Sequence, residues 1–434
     1  MMENKEITLL IEDMTVEGQG VAKQNGLVYF VEGGLLGGTY LCEIIKEKKS
    51  FSFAKAKKEI KASTYSRKSP CPYSKVCHGC PLIELTKEKE AEWKKGFIES
   101  SLERLANQKV SSTFYGFPDL KYRNKLNLRV NQEGKLSYSK RSTNDLIPVR
   151  TCPIGGQEIQ KIMRAWDEKV LSYPNFLLLA KKIKMVVIRE NTQKETMLVF
   201  ITEKITKEEK EDLFKAMSLL HVDVLAISEN TRPRNVSIRE PIDYHTEKKY
   251  LKEEMHGLSF SISPASFFQV NKQAALKIYE TAIGLFSKDE MGVLDLYCGT
   301  GTTSLLLAKS HSKVFGVESN KQAVEDAKRN AKKNKIDNVD FLQAKAEEAI
   351  QDLSQEGYRK VLVDPPRKGL DRKVVESIIE SECKELVYIS CNPTTLARDI
   401  KIFTDHSFQI KNVYGFNQFP NTMHVEVLAL IARD

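Results

Sequence analysis

Asp295-Leu296-Tyr297-Cys298-Gly299-Thr300-Gly301 is the stretch on which the reading of this chain turns. It closes an apolar run, Gly292–Leu296, and opens a helix predicted over Thr302–Lys309. A glycine loop between strand and helix is where an open α/β sheet binds nucleotides. Gly299 and Gly301 let the backbone approach a ligand closely. A dinucleotide fingerprint asks for glycine again at position 304, where Ser304 stands. Glu318 ends the next predicted strand, where a carboxylate can accept both hydroxyls of a ribose. The combination suits S-adenosylmethionine better than NAD.

Outward from the loop the pattern is regular. Predicted strands Lys313–Val317, Val339–Gln343, Lys360–Val363 and Glu385–Ser390 alternate with predicted helices Gln322–Lys335, Arg372–Ser381 and Thr394–Phe403. Such alternation specifies a doubly wound sheet with helices on both faces. Two further strands, Val413–Phe416 and Val425–Ile431, close the chain and are expected to be antiparallel.

The preceding residues read differently. Short β-like runs, Ile7–Ile11, Leu27–Val31 and Tyr40–Lys46, are punctuated by glycine turns and predict a small β-barrel. Beyond them Lys46, Lys48, Lys49, Lys55, Lys57, Lys58 and Lys61 interleave with Phe51, Phe53 and Tyr65. Positive charge suits phosphates and flat rings suit bases, which fits single-stranded nucleic acid. A lysine-guarded edge strand is the equal alternative. A helix is predicted over Leu85–Leu105, and mixed β and α structure over about 113–260, including strands Met185–Ile188 and Met197–Ile201. Lys121–Arg129 alternates as a strand with basic and polar groups on one face.

The chain's 434 residues suggest two or three domains. The net charge of +9, from 67 Lys+Arg against 58 Asp+Glu, favours a polyanionic partner. The amino-terminal residues lack the basic-then-apolar order of a signal peptide, and apolar runs such as Phe176–Ala180 are too short to cross a bilayer. A cytoplasmic location and no membrane partner are therefore expected, where stable disulfides are uncommon. Of the eight cysteines, Cys71, Cys77 and Cys80 crowd together, with Cys152 far along the chain. Four thiolates suit either zinc or an iron–sulfur cluster. The single Cys-x2-Cys pair, the uneven spacing and the Cys-Pro turns favour iron–sulfur. A radical enzyme is disfavoured, since a fourth thiolate would occupy the open iron site that such chemistry needs.

Two further motifs end predicted strands on the ligand side. Val363-Asp364-Pro365-Pro366-Arg367 is a rigid, non-helical turn. Ser390-Cys391-Asn392-Pro393 presents a cysteine that is either a small buried residue or a nucleophile. Beside an adenosylmethionine loop in a basic chain, the nucleophile is preferred.

Together these residues resemble the RNA uracil-5-methyltransferase family, in its branch with a TRAM domain and a [4Fe-4S] cluster, which includes enzymes of 23S ribosomal RNA. The likeness implies a multidomain α/β protein. Residues 1–62 would form an OB-like TRAM β-barrel that binds RNA, and 63–260 a central mixed α/β domain holding the cluster on Cys71, Cys77, Cys80 and Cys152. Residues 261–434 would form a Rossmann-like methyltransferase domain. Phe267-Phe268-Gln269-Val270-Asn271 matches the family's Phe-x-Gln-Val-Asn segment. This implies a cofactor contact at Gln269 and a base-stacking aromatic at Phe267, with Arg123 and Arg129 toward the RNA. Tyr297, Gly299, Gly301, Thr302, Glu318 and Asp364 fall at cofactor positions, Cys391 at the nucleophile and Glu426 at the base. Two departures stand out. Asn417-Gln418-Phe419-Pro420 replaces the family's Asp-x-Phe-Pro, which is expected to alter local hydrogen bonding but not the chemistry. Lys345 stands where an acidic or amide residue often meets adenine and is not assigned to the cofactor.

The resemblance implies methylation of carbon 5 of a uridine, in 23S rRNA ahead of tRNA, with no obligate protein partner evident. A non-catalytic RNA-binding assembly factor is the reading from another class. The intact Cys391, Glu426, Asp364 and glycine loop argue against it.

Overall fold

The computed structural model of the chain describes residues 5–77, 79–140, 143, 145–232 and 236–433, apart from the side chains of 351–355. The chain forms two compact units. The first is Met1–Phe97 with Phe419–Val425, and the second is Ile98–Gln418 with Glu426–Asp434. Among the described residues no helix is long and apolar enough to cross a membrane.

The first unit contains strands β1 (Glu6–Leu10), β2 (Asp13–Met14), β3 (Gly20–Gln24), β4 (Leu27–Glu32), β5 (Thr39–Glu47) and β6 (Phe51–Lys61). They lie in the order β1-β5-β6-β4-β3-β2. β1 pairs with β5. Just beyond it, Ile11 N donates to Gly38 O at 2.9 Å and Glu12 N to Val21 O at 2.8 Å, before β2 pairs with β3. One extended stretch thus bonds to both sides of the sheet order and curls the sheet around Leu9, Ile11, Val31, Cys42 and Ala54. Gly34 permits the tight crossing, because a Cβ there would stand 2.8 Å from the Ile11 side chain. Phe51 and Phe53 cluster with Phe30 at centroid distances of 5.5–5.7 Å, and Lys48 lies 5.1 Å from the Phe51 ring centre. β6 is paired on both sides only through Lys55; beyond it, only β5 remains as a neighbour. The strand thus carries an aromatic cluster at Phe51 and Phe53 and a lysine-lined edge at Lys57, Lys58 and Lys61.

Helix α1 (Lys87–Ala106) begins in the first unit. Its buried Lys94 and Glu90 pair at 2.7 Å, and both hold the segment that returns from the far end of the chain. Lys94 Nζ donates to Phe419 O at 3.2 Å, and Asn421 N donates to Glu90 Oε1 at 2.9 Å. Arg67 donates to Asn421 Oδ1 at 2.6 Å and Leu82 N to Asn421 O at 3.0 Å.

The second unit opens with β7 (Thr113–Tyr115) and continues into β8 (Lys125–Val130), β9 (Leu136–Ser139) and β10 (Leu146–Pro148). Helices α2 (Gln157–Ala165) and α3 (Phe176–Ala180) lead to β11 (Ile183–Glu190), β12 (Thr196–Thr202), α4 (Lys207–Ser218), β13 (Val224–Glu229) and β14 (Ile242–Tyr244). Seven of these strands form one sheet, in the order β10-β9-β8-β11-β12-β13-β14. The strand expected from Lys121 begins only at Lys125. Lys121 has a φ of +55°, which breaks an extended run. From there the alternation holds, with Leu126, Leu128 and Val130 buried and Arg129 outward.

A hairpin, β15 (Leu251–Met255) and β16 (Leu258–Ile262), and helix α5 (Lys272–Gly284) lead into the regular region. There follow β17 (Gly292–Leu296), α6 (Thr302–Ala308), β18 (Val314–Glu318), α7 (Lys321–Asn334), β19 (Val339–Gln343) and α8 (Ala346–Gln355). The chain continues through β20 (Tyr358–Val363), α9 (Arg372–Glu380), β21 (Glu385–Ser390), α10 (Pro393–Thr404), β22 (Gln409–Phe416) and β23 (Glu426–Ala432). The sheet order is β19-β18-β17-β20-β21-β23-β22-β7. The first five strands are parallel and β23 is antiparallel to both its neighbours, as expected for the closing pair. β17, buried along its whole length, reads as the continuous apolar run of a sheet covered on both faces. Strand order reverses between β17 and β20, the switch point where a crevice opens at the carboxyl ends.

Candidate active site

Each strand of the parallel sheet delivers its site residue by ending at the same rim. After β17 the chain turns sharply: Tyr297, Gly299 and Gly301 all have left-handed φ values of 65°, 55° and 79°. Gly301 is required twice over, since a Cβ there would lie 2.9 Å from Ala327 Cβ and 3.0 Å from the Phe341 ring. At Gly299 a Cβ would meet nothing within 4 Å, so this backbone faces open space that a ligand can approach. Beneath the turn, buried Asp295 accepts hydrogen bonds from Thr303 Oγ1 and Ser304 Oγ, both at 2.5 Å. Ser304, which replaces the third fingerprint glycine, is thus used to brace the loop. Burial raises Asp295 to about 6 despite these donors.

Glu318, ending β18, is fixed beside the loop. Its Oε2 accepts from Gly299 N at 3.3 Å, and its Oε1 accepts from Asn320 N at 2.8 Å and Ser319 Oγ at 3.1 Å. Thr302 begins α6, and Tyr297 is half-buried, its hydroxyl pushed up to about 12 chiefly by burial. Glycine backbone facing open space, an anchored carboxylate at the next strand end and Asp364 two strands away fit the loop, ribose and amine of an adenosylmethionine-type cofactor. Lys345 points away to solvent and pairs with Glu348 at 3.6 Å.

A second group of side chains lies after the carboxyl ends of β20 and β21 and at the start of β23. Ser390 pairs with Val427, so the next position on each strand places Cys391 opposite Glu426. Glu426 is buried, with 6% of its surface exposed. Burial raises its carboxyl well above the usual range, Asp364 raises it further, and the Arg367 guanidinium offsets part of this. Burial raises the half-buried Cys391 thiol to about 11, with Glu426 and Asp364 adding to the rise and Arg367 opposing it. Asp364 keeps part of its surface exposed but is enclosed by protein, and is raised to about 7 by burial and then by Asp295. Cys391, Glu426, Asp364 and Arg367 therefore form one electrostatic group. Arg367 lies within the Asp-Pro-Pro-Arg motif, yet only the tertiary arrangement shows it facing Cys391 and Glu426.

Helix α10 holds this arrangement. Asn392 caps it, and Asn392 Nδ2 and Thr395 Oγ1 donate to Arg367 O at 3.3 and 3.4 Å. Buried Asp399 accepts from Leu370 N at 2.9 Å and Tyr388 hydroxyl at 2.7 Å, while Arg398 donates to Lys368 O and Leu370 O. The loop carrying Asp364 and Arg367 is thus tied to the helix that follows Cys391. The sequence carries no local signal for Arg398 or Asp399 in this role.

Gln269 precedes α5. Its Oε1 accepts from Gln418 Nε2 at 2.6 Å, its backbone oxygen accepts from Asn124 Nδ2 at 3.0 Å, and its side chain shares a hydrogen bond with Tyr279. Arg123 neighbours this segment through a bridge to Asn271. Phe267 is 73% exposed, while Phe268 belongs to the core. Arg129 lies exposed near the end of β8. Asn417, which stands where the family has Asp, is buried, and its neighbour Gln418 takes part in the Gln269 network.

Cys42, Cys298 and Cys383 are buried, whereas Cys71, Cys77, Cys80 and Cys152 are half-buried. The first three of that set belong to the first unit and Cys152 to the second. Among the described residues no group of three or more His, Cys, Asp or Glu side chains is arranged to hold a metal ion. The donors have the right softness for iron or zinc.

The fold and rim are those of an S-adenosylmethionine-dependent methyltransferase. The chain belongs to the tRNA (uracil-5-)-methyltransferase family, which it matches over residues 86–434. It is 33% identical to an uncharacterized RNA methyltransferase of Bacillus cereus, with 99% of this chain and 97% of that protein covered. A Listeria monocytogenes RNA methyltransferase, also uncharacterized, is 33% identical over 99% of this chain and 98% of its own length. The fold is similar to that of the Pyrococcus abyssi tRNA (uracil-54, C5)-methyltransferase, solved with S-adenosyl-L-homocysteine. The TM-score is 0.78 at 24% identity, covering 98% of this chain and all of that one.

Proposed function

We propose that this chain methylates carbon 5 of a uridine in 23S rRNA, with Cys391 as nucleophile and Glu426 as base. The observation that carries the mechanism is the register that sets Cys391 opposite Glu426 at the rim occupied by Asp364. Carbon 5 of uracil is a poor nucleophile. Cys391, once deprotonated, adds to carbon 6 and forms the S–C6 bond, which turns the ring into an enolate with a nucleophilic carbon 5. S-adenosylmethionine, when bound, supplies the electrophilic methyl group that carbon 5 takes. Glu426 then removes the carbon-5 proton, the S–C6 bond breaks, and the C5=C6 double bond returns. The raised affinity of Glu426 for a proton suits it to this step. Arg367, the one cation opposing both shifts, favours the charged forms of Cys391 and Glu426.

Gln269, Tyr297, Gly299, Gly301, Thr302, Glu318 and Asp364 are proposed to hold the cofactor, and Phe267, Arg123 and Arg129 to meet RNA. The curled sheet supports residues 1–62 as the TRAM domain, with 63–260 central and 261–434 catalytic. The [4Fe-4S] cluster on Cys71, Cys77, Cys80 and Cys152 rests on the family resemblance and on the spacing of these half-buried cysteines. No chemical step runs through it. Anaerobic purification with iron, followed by iron and acid-labile sulfide analysis, tests it directly; colourless, iron-free and fully active protein would dismiss it. A cytoplasmic location follows from RNA as substrate.

Ribosomal RNA is favoured by the resemblance to the TRAM-and-cluster branch; tRNA is the second reading, favoured by the description of the matching family. Methyl transfer from labelled cofactor to unmodified 23S rRNA and tRNA transcripts, with nucleoside analysis, separates them. 5-Methyluridine from tRNA alone would keep the mechanism and overturn the substrate.

A further inference from the structure

Lys125, the first residue of β8, pairs with Arg189 of β11 across an antiparallel ladder, so both side chains leave the same face of the sheet. Like charges set directly opposite each other oppose folding. Arg189 is buried and Lys125 half-buried, so solvent screens neither fully. The one carboxylate that acts on Arg189 is Glu253, itself buried and already paired with Lys272 at 2.8 Å. Three cations, Lys125, Arg189 and Lys272, thus share one carboxylate. Arg189 Nη2 donates to Ser266 O at 3.4 Å, while its buried Nη1 has no hydrogen-bond partner among the described residues. Burial and then Arg189 push the Lys125 ammonium down to about 8, and no anion among the described residues offsets this. Folds keep such local conflicts chiefly where function uses them.

The position of the pair is informative. Arg189 is bonded to the residue just before exposed Phe267, and from Lys125 the same face of β8 continues through exposed Asn127 and Arg129. The excess charge stands where this polar stripe meets the Phe267 segment. We infer that Lys125, backed by Arg189, is a subsite for one backbone phosphate of the RNA strand whose base is presented at Phe267. This rests on the methylation reading above. Lys125, which keeps part of its surface open, makes the contact; Arg189 stays behind it and adds charge from within the sheet. A phosphodiester carries one negative charge on two oxygens that point away from the bases. It therefore relieves the repulsion between the cations while leaving the base free to reach Phe267.

The test reads the salt dependence of RNA binding. Wild type, Lys125→Met and a control, Lys215→Met at an exposed position of α4, are titrated with 23S rRNA and tRNA transcripts between about 50 and 200 mM salt. One phosphate contact adds about 0.7–0.9 to the slope of log affinity against log salt. Lys125→Met should lose about that much slope and bind about 5- to 20-fold more weakly at the low-salt end. Lys125→Arg should restore both, and Lys215→Met should match wild type. Without RNA, Lys125→Met should melt no lower than wild type, because a repulsion has been removed. An unchanged slope would overturn the inference, and a slope that falls only together with Tm would assign Lys125 to the fold instead. Should Lys125→Met fail to fold, Lys125→Gln is read in the same way. Absence of 5-methyluridine from wild type on both transcripts, with the slope difference intact, would strike the methylation reading and leave the phosphate subsite standing.

Discussion

At the β17–β18 end of the sheet, the Glu318 carboxylate receives Gly299 N, Asn320 N and Ser319 Oγ. At the β21–β23 end, the Glu426 carboxyl is buried with Asp364 for a neighbour, and only Arg367 offsets the charge. One carboxylate accepts three hydrogen bonds in a half-open rim; the other is buried and raised in its affinity for a proton. The same sheet edge thus separates holding from reacting. The holding end uses backbone shape, and the reacting end uses desolvated charge at a register contact between antiparallel strands.

The sharpest way to break this contrast is Cys391→Ala. It should lower methyl transfer by about 10⁴-fold or more, while RNA binding stays within a few-fold of wild type. Turnover near the wild-type level would remove the reacting end from the chemistry. Next, Glu426→Gln should lower kcat by about 10²- to 10⁴-fold and leave RNA covalently attached to protein, visible on a denaturing gel. Because Glu426 is raised well above its usual range and Cys391 to about 11, the reactive forms gain population as pH climbs. Wild-type kcat/KM should therefore rise from pH 6 to 9. A rate that falls over this range would contradict the assignment.

At the holding end the expected effect is smaller and of another kind. Glu318→Ala should weaken cofactor binding by about 10- to 100-fold in calorimetry, while kcat at saturating cofactor changes only a few-fold. A matching loss in kcat would blur the distinction between the two ends. The smallest effect concerns stability without ligands. Asp364 is raised to about 7 from an unfolded value near that of an ordinary aspartate. The folded state binds the extra proton, so the stability this contributes is present at low pH and is lost as pH rises through about 7. Asp364→Asn should flatten that decline, raising Tm at pH 8 relative to wild type by a few degrees (about 2–4 °C) and changing little at pH 4. An unchanged difference across pH would show that Asp364 is ionised throughout.

These two ends were not equally legible in the sequence. The holding end is local: Gly299, Gly301 and Glu318 lie within about one β-α-β unit, and continuous apolar strands announce it. The reacting end joins residues far apart in the chain. Cys391 and Glu426 were named, but their opposition depends on the antiparallel register of β21 and β23, which no local pattern carries. Arg367, Asp399 and Gln418 acquire their parts only through tertiary contacts. The hairpin β15–β16 and helices α5 and α8 went unread before β17 and after β19. The strand expected from Lys121 is four residues too long at its start because a lysine in the left-handed region gives no compositional warning.

The seven residues Phe419–Val425, clamped by Glu90, Lys94, Arg67 and Leu82, have a bearing on how the protein is made. The amino-terminal part of this unit leaves the ribosome ahead of the second unit, but part of its packing is supplied by Phe419–Val425, translated after β22. Until then buried Glu90 and Lys94 have each other but not the backbone groups of 419 and 421. Vectorial synthesis therefore cannot finish this unit before β17–β22 have been translated, and a gene fragment ending before residue 419 would encode a first unit short of this segment.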